Sequence, residues 1–300
     1  MAKFEIGVCL PIWQYGPERV TPRWAEIRQI TLNAEQMGMD TLWIPDELLW
    51  RSPTSAAQGF WDGVSIMGAV AAVTSKIKIG SWVLSALHRN PGIIAKTAET
   101  LDEISGGRFV FGLGAGHAGQ QAHTFGLPED VVFARWEEAL QIIVPLMRGG
   151  QATFEGKYHA ARDLLQQPVG PRPNGIPLLI GGQKTKAMRL AALNADVWST
   201  FAEQKSTMEE LGPRMSEFMA LCEEVERDPA TVGKAAGLDT KPLAGSTEDA
   251  SVLTGSAEEI ADRLRTFRDA GYTQADLMVN PGTVEAFDAL APVVEMLAAD

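Results

Sequence analysis

The stretch Phe109-Val110-Phe111-Gly112-Leu113-Gly114-Ala115-Gly116-His117-Ala118-Gly119 is an apolar run that breaks into alternating glycines and passes through a histidine. Gly114, Gly116 and Gly119 satisfy the G-x-G-x-x-G spacing of a dinucleotide-binding turn. Such a turn must open a helix at once. Gln120 to Asp130, with Gly126 and Pro128 inside it, reads as a loop instead. The other reading is a buried strand whose exit is lined by glycine, so that the backbone can approach a planar ring or a phosphate without side-chain obstruction. In a β/α barrel that exit opens on the active-site mouth, and His117 points into it.

The same grammar runs outward in both directions. β-type runs at Phe4 to Pro11, Thr41 to Pro45, Ile77 to Val83 and Arg108 to Leu113 are followed by Pro177 to Ile180, Asp196 to Ser199, Val232 to Leu238 and Gln274 to Val279. Helical periodicity fills the gaps, at Trp24 to Met37, Trp61 to Thr74, Ile93 to Ile104, Phe133 to Met147, Thr185 to Asn194, Met208 to Glu226, Ala257 to Ala270 and Val284 to Ala299. Gly38 and Gly271 supply left-handed helix stops. Eight such units in one domain of residues 1–300 predict an α/β fold, a (β/α)8 TIM barrel with insertion segments. Periodicity does not separate this from an open doubly wound sheet. Glu47 to Phe60 and Gln151 to Asn174 fall outside the alternation as binding or lid loops, and Ala152 to His159 suggests a small hairpin.

Composition narrows the function classes. The chain has 300 residues and a net charge of −12, which argues against nucleic-acid or anionic-membrane partners, since both draw on clustered Lys and Arg. No apolar run reaches the roughly 18 residues that span a bilayer, so a soluble, unprocessed cytoplasmic protein is expected. Cys9 and Cys222 lie in apolar runs and read as reduced core thiols; no metal motif, Walker loop or G-x-S-x-G occurs. A cofactor is therefore the expected source of reactivity.

Three further segments carry polar groups to strand exits. Thr41-Leu42-Trp43-Ile44-Pro45-Asp46-Glu47-Leu48-Leu49-Trp50 ends a strand in two carboxylates, of which alternation turns only one toward the mouth, followed by an aromatic residue. Ile77-Lys78-Ile79-Gly80-Ser81-Trp82-Val83 leads to His88-Arg89-Asn90-Pro91, where Asn90 and Pro91 mark a helix start and His88 and Arg89 lie in the loop. Ile176 to Gly181-Gly182-Gln183-Lys184-Thr185-Lys186 runs a strand through two glycines into a helix whose first turns are basic, against its own macrodipole. Open amides with Lys184 and Lys186 would make a phosphate cradle.

Gly38-Met39-Asp40-Thr41-Leu42-Trp43-Ile44-Pro45-Asp46, Asn90-Pro91 with Lys96 to Arg108, Gly112-Leu113-Gly114-Ala115-Gly116 and Ile176 to Gly182 together resemble the luciferase-like superfamily of flavin monooxygenases and deazaflavin-dependent oxidoreductases. The resemblance implies a barrel that is commonly dimeric, hence a homodimer. It implies a ring against a bulge in the third strand, at Ser81 and Trp82, often with a cis peptide that would fall between those two residues. The phosphate would lie on the turns Gly114-Ala115-Gly116-His117 and Gly181 to Lys184. The implied activity is hydride transfer between coenzyme F420 and a small organic substrate, with FMN-dependent monooxygenation, or flavin binding without turnover, as alternatives. Asp46 would hold the ring edge, Glu47 and His117 would carry protons and Trp50 would form part of a lid. The family's sugar-phosphate dehydrogenases carry Asp-His at the second strand and Glu after the glycine turn; here Asp46-Glu47 and His117 exchange those types.

Overall fold

The computed structural model describes residues 3–51, 56–245 and 251–300. Residues 52–55 of the expected loop Glu47 to Phe60 lie outside them. Eight longer parallel strands are found among the described residues: β1 (Glu5–Cys9), β2 (Thr41–Ile44), β3 (Lys78–Ser81), β4 (Phe109–Gly114), β5 (Leu178–Gly181), β6 (Val197–Phe201), β7 (Gly233–Thr240) and β8 (Gln274–Val279). Helices fall between them, and the fold class is a (β/α)8 barrel. Every residue of β2 and β4 is buried, which explains why these strands are continuous apolar runs instead of alternating ones.

The chain divides into two compact units, one of residues 1–43, 76–78 and 179–300 and one of residues 44–75 and 79–178. In the first, β5, β6, β7, β8, β1 and β2 pair in that order. Gly7 of β1 stands opposite Asp276 of β8 and Thr41 of β2. It must be glycine, because an added Cβ would come within 2.4 Å of Trp43 Nε1 and 2.5 Å of Asp276 Oδ1. Trp43 Nε1–H donates to Asp276 Oδ1 at 2.6 Å and Gln274 Nε2 donates to Oδ2 at 3.0 Å, so this buried carboxylate is held from both sides. Trp198 stacks on Phe218 with ring centroids 4.3 Å apart, and both are fully buried. Rings of that size contribute on the order of 1.5–3 kcal/mol each by leaving water.

In the second unit β3 and β4 begin in register, Ile79 opposite Phe109 and Gly80 opposite Val110. Pairing resumes with Leu84 opposite Leu113, so four steps on one strand match three on the other. That is a bulge across Ser81, Trp82 and Val83. The cis peptide lies between Trp82 and Val83, one bond later than expected from the resemblance.

Several boundaries differ from the sequence reading for local reasons. Gln120–Phe125 is a short helix, not a loop; Gly126, at φ 65°, ends it after six residues in the left-handed conformation. The expected Ile93 to Ile104 helix starts earlier, at Pro91, with Asn90 Oδ1 accepting the Gly92 amide, and ends at Ser105 before Gly106 at φ 65°. The expected last helix is two, Val284–Asp288 and Ala291–Ala298, with Pro292 in the first turn of the second, where its missing N–H leaves no bond unmade. The hairpin is larger than Ala152 to His159, pairing Gln151–Glu155 with Ala160–Leu165. Its tip is anchored by Glu138, whose carboxylate accepts the amides of Lys157, Tyr158 and His159 at 2.7–2.9 Å. Among the described residues no helix is long and apolar enough to cross a membrane.

Candidate functional site

The second unit collects Asp46, Glu47, Trp50, Ser81, Trp82, Gly114, Ala115, Gly116 and His117. At its centre is an ion pair between Asp46 and the loop residue Arg89 that the sequence reading did not anticipate. Asp46 is buried; Arg89 Nη1 donates to its Oδ2 at 2.6 Å and Nη2 to its Oδ1 at 2.9 Å, while the Ser85 amide donates to Oδ2 at 2.9 Å. His88 Nδ1 stands 3.4 Å from Oδ2. Burial pushes this carboxyl up, but the hydrogen bonds from His88 and Arg89, the Arg89 charge and the Ser85 amide outweigh it and hold it below the usual aspartate range. The Asp46 side chain is fully buried, and its contacts hold the loop that carries His88 and Arg89, a role the sequence reading, which set it at a ring edge, did not foresee.

Glu47 is the carboxylate that turns outward. Gln121, from the short helix that the sequence reading took for a loop, holds it in place. Its Oε1 accepts the amides of Leu48 and Leu49 at 2.7 and 2.9 Å, which fixes which end of the amide is oxygen. Its Nε2 then donates to Glu47 Oε2 at 2.7 Å and faces His88 Nε2 at 3.4 Å. The network thus assigns the His88 tautomer: Nε2 is the acceptor and Nδ1–H faces Asp46. Glu47 Oε1 is left 3.5 Å from His117 Nε2. His117 keeps 65% of its side chain exposed. Trp50 is 50% exposed and stands edge-on to the His117 ring, centroids 6.3 Å apart.

The glycines also have a packing role that the sequence did not reveal. A Cβ on Gly112 would come within 1.9 Å of the Ser81 carbonyl oxygen, one on Gly114 within 2.6 Å of Val83 Cγ2, and one on Gly116 within 2.1 Å of Ser85 Oγ. Alternate residues of β4 thus face alternate residues of the bulged third strand, and the missing side chains make room for that strand. Ser81 is engaged in the same contact: its hydroxyl donates to Gly112 O at 2.7 Å and accepts the Gly112 amide at 3.0 Å. Trp82 donates its backbone amide to Ile44 O at 2.8 Å and is half-buried, as is Ala115. Gly116 has φ 85°, a turn that favours glycine independently of the contact.

Gly181, Gly182 and Lys184 belong to the first unit. Gly182 is not an open amide: its N–H donates to Ser199 O at 3.1 Å, its carbonyl accepts Trp198 Nε1–H at 2.8 Å, and a Cβ there would meet Ala187 Cβ at 2.4 Å. Lys184 is the residue preceding helix Thr185–Asn194, and its side chain is exposed.

The chain is similar to known proteins over most of its length. The chain is 30% identical over 244 residues to pyrimidine monooxygenase RutA of Agrobacterium fabrum, covering 76% of this chain and 65% of that one. It is 32% identical over 191 residues to an F420-dependent glucose-6-phosphate dehydrogenase of Beutenbergia cavernae, covering 61% and 54%. The matched stretch thus spans about two thirds and about half of these relatives' lengths. An F420-dependent secondary alcohol dehydrogenase, solved in complex with an F420-acetone adduct, superposes with a TM-score of 0.76 at 21% identity, covering 97% of this chain and 99% of that one. The oxygenating constituent of 3,6-diketocamphane monooxygenase from the CAM plasmid of Pseudomonas putida, in complex with FMN, gives 0.72 at 16%, covering 98% of each. By their names these relatives are monooxygenases and F420-dependent dehydrogenases. The family model for luciferase-like monooxygenases matches residues 4–238, and the chain belongs to that family.

Proposed function

We propose that this protein is an F420-dependent oxidoreductase that moves a hydride between the deazaflavin and a small organic substrate, with Glu47 and His117 as its proton carriers. The observation that carries the reading is the Glu47 carboxylate: one oxygen is held by Gln121 at 2.7 Å, and the other is turned to an exposed histidine at 3.5 Å. An acid, a base and an exposed indole gathered at strand ends, with no structural contact that accounts for all three, suit a polar ring and a substrate beside it. The F420-dependent relative supports the choice of cofactor.

When bound, the deazaflavin supplies the hydride chemistry. The protein's part is to place and protonate. Gln121 prevents Glu47 from turning away, so Oε1 stays available to take a proton from the substrate hydroxyl in the oxidative direction or to return it in the other. His117 Nε2, open to water, passes that proton on. Trp50 shields the site from one side. Lys184 is assigned to a phosphate.

Titration of the purified apoprotein with F420 and with FMN, followed by ring fluorescence, tests the cofactor. Glu47→Gln and His117→Ala should each lower kcat by about 10²–10⁴ with cofactor affinity unchanged. Full activity in both variants with intact binding removes the assignment. The match to a pyrimidine monooxygenase favours a second reading, FMN-dependent oxygenation. Oxygen consumption stoichiometric with product would select it.

A further inference from the structure

The His88 side chain is 4% exposed and takes no part in the proton transfer assigned to Glu47 and His117. Its loop is fixed from two sides. Asp46 accepts the Ser85 amide and both ends of the Arg89 fork, and the Ala86 amide donates to Gly114 O at 3.0 Å. The Ser85 hydroxyl and Leu87 Cβ occupy the space that a side chain on Gly116 would take. The loop that carries His88 and the glycine turn that leads to His117 are thus packed together as one piece.

Gln121 has less support of its own. It sits in a helix of six residues, which is too short to hold its shape without contacts to other parts of the chain. Its side chain is buried and its amide is fully used: Oε1 accepts the amides of Leu48 and Leu49, and the two Nε2 hydrogens face Glu47 Oε2 and His88 Nε2. Three of these four partners belong to the segment Glu47-Leu48-Leu49 that the amide itself holds. The fourth, His88, stands on the fixed piece. Its Nδ1 lies 3.4 Å from Asp46 Oδ2, which keeps the ring proton on that side and leaves Nε2 bare as an acceptor. Without that acceptor one Nε2 hydrogen is buried unpaired, a cost the amide escapes by turning, and the hydrogen on Glu47 Oε2 turns with it.

We propose that His88 is a positioning residue: by accepting the second Nε2 hydrogen of Gln121 it fixes the plane of that amide, and through it the orientation of Glu47 that leaves Oε1 free toward His117. Its importance for turnover rests on the reading of Glu47 as a proton carrier. His88 acts through Gln121 and passes no proton to the substrate.

Asparagine and glutamine separate the two ring nitrogens, since an asparagine amide reaches about as far as Nδ1 and a glutamine amide about as far as Nε2. The test is hydrogen exchange of the Gln121 side-chain amide, followed by 15N NMR on the full-length apoprotein and assigned by its absence in Gln121→Leu. Exchange should be faster by about tenfold or more in His88→Asn, which keeps only the contact to Asp46, and within about threefold of the unsubstituted protein in His88→Gln, which keeps the contact to Gln121. In turnover, His88→Asn should lower kcat by about tenfold with the cofactor Kd unchanged, and should lower it no further when combined with Gln121→Leu. Unchanged exchange in His88→Asn, equal acceleration in both variants or an additive loss of kcat in the double variant overturns the proposal. Exchange rates in the expected order together with full activity of Glu47→Gln would leave the anchor standing and remove the proton-carrier reading instead. If His88→Asn does not fold, His88→Leu, which fills the space without an acceptor, takes its place in the comparison with His88→Gln.

Discussion

Replacing Asp276 by asparagine should flatten the dependence of stability on pH. Asp276 lies fully buried on β8, and burial pushes its carboxyl up to about 7, against the hydrogen bonds from Gln274 and Trp43 that favour the ionised form. The ordinary value is 3.8, so folding raises it by about three units, worth about 4 kcal/mol in all. The sign follows from proton uptake. Between about pH 4 and pH 7 the folded state holds a proton that the unfolded state has released, so this group removes stability as pH rises through that window and the loss is complete above it. The amide introduced by Asp276→Asn cannot ionise. Gln274 need only turn its own amide end for end to offer oxygen to the new NH2, and Trp43 Nε1–H keeps its acceptor. Urea melts of both proteins at intervals from pH 4 to pH 8 should show the difference in unfolding free energy moving in favour of Asp276→Asn by about 4 kcal/mol. Parallel curves, or a difference that moves the other way, would refute the account of this carboxylate.

Gly112→Ala should cost about 3 kcal/mol or more in a urea melt, because its methyl would lie 1.9 Å from the Ser81 backbone oxygen, whereas Gly149→Ala, which meets nothing within 4 Å, should change stability by less than about 1 kcal/mol. Gln121→Leu removes the hydrogen bond that orients Glu47 and should lower kcat by about tenfold with cofactor affinity unchanged; unchanged turnover would show that this bond does not position the carboxylate. Lys184→Ala should weaken a phosphorylated cofactor by about tenfold while leaving its dephosphorylated analogue unaffected, and equal losses would point to general destabilisation.

Much of the architecture was legible because it depends on local patterns. Apolar runs of strand length between helical periods gave the order of elements, and Asn90-Pro91 and the stops at Gly38 and Gly271 follow from what those residues do to a few dihedrals; both glycines have positive φ, 82° and 95°. The Gln120–Phe125 helix was missed because its length is set by flanking glycines that also look like loop. That error hid Gln121, whose importance depends wholly on reaching residues more than seventy positions away. The one available signal was a glutamine pair directly after Gly119, and it is weak.

The sequence by itself determined the type and order of the elements and the chemical character of the strand exits, because periodicity, caps and side-chain chemistry are properties of neighbours along the chain. Only the tertiary structure decided the use of each group. It turned Asp46 inward to Arg89, gave Glu47 a fixed orientation and one accessible oxygen, and filled the space beside Gly112, Gly114 and Gly116 with the bulged third strand. These outcomes depend on which distant backbone arrives at van der Waals distance, and no local pattern encodes that.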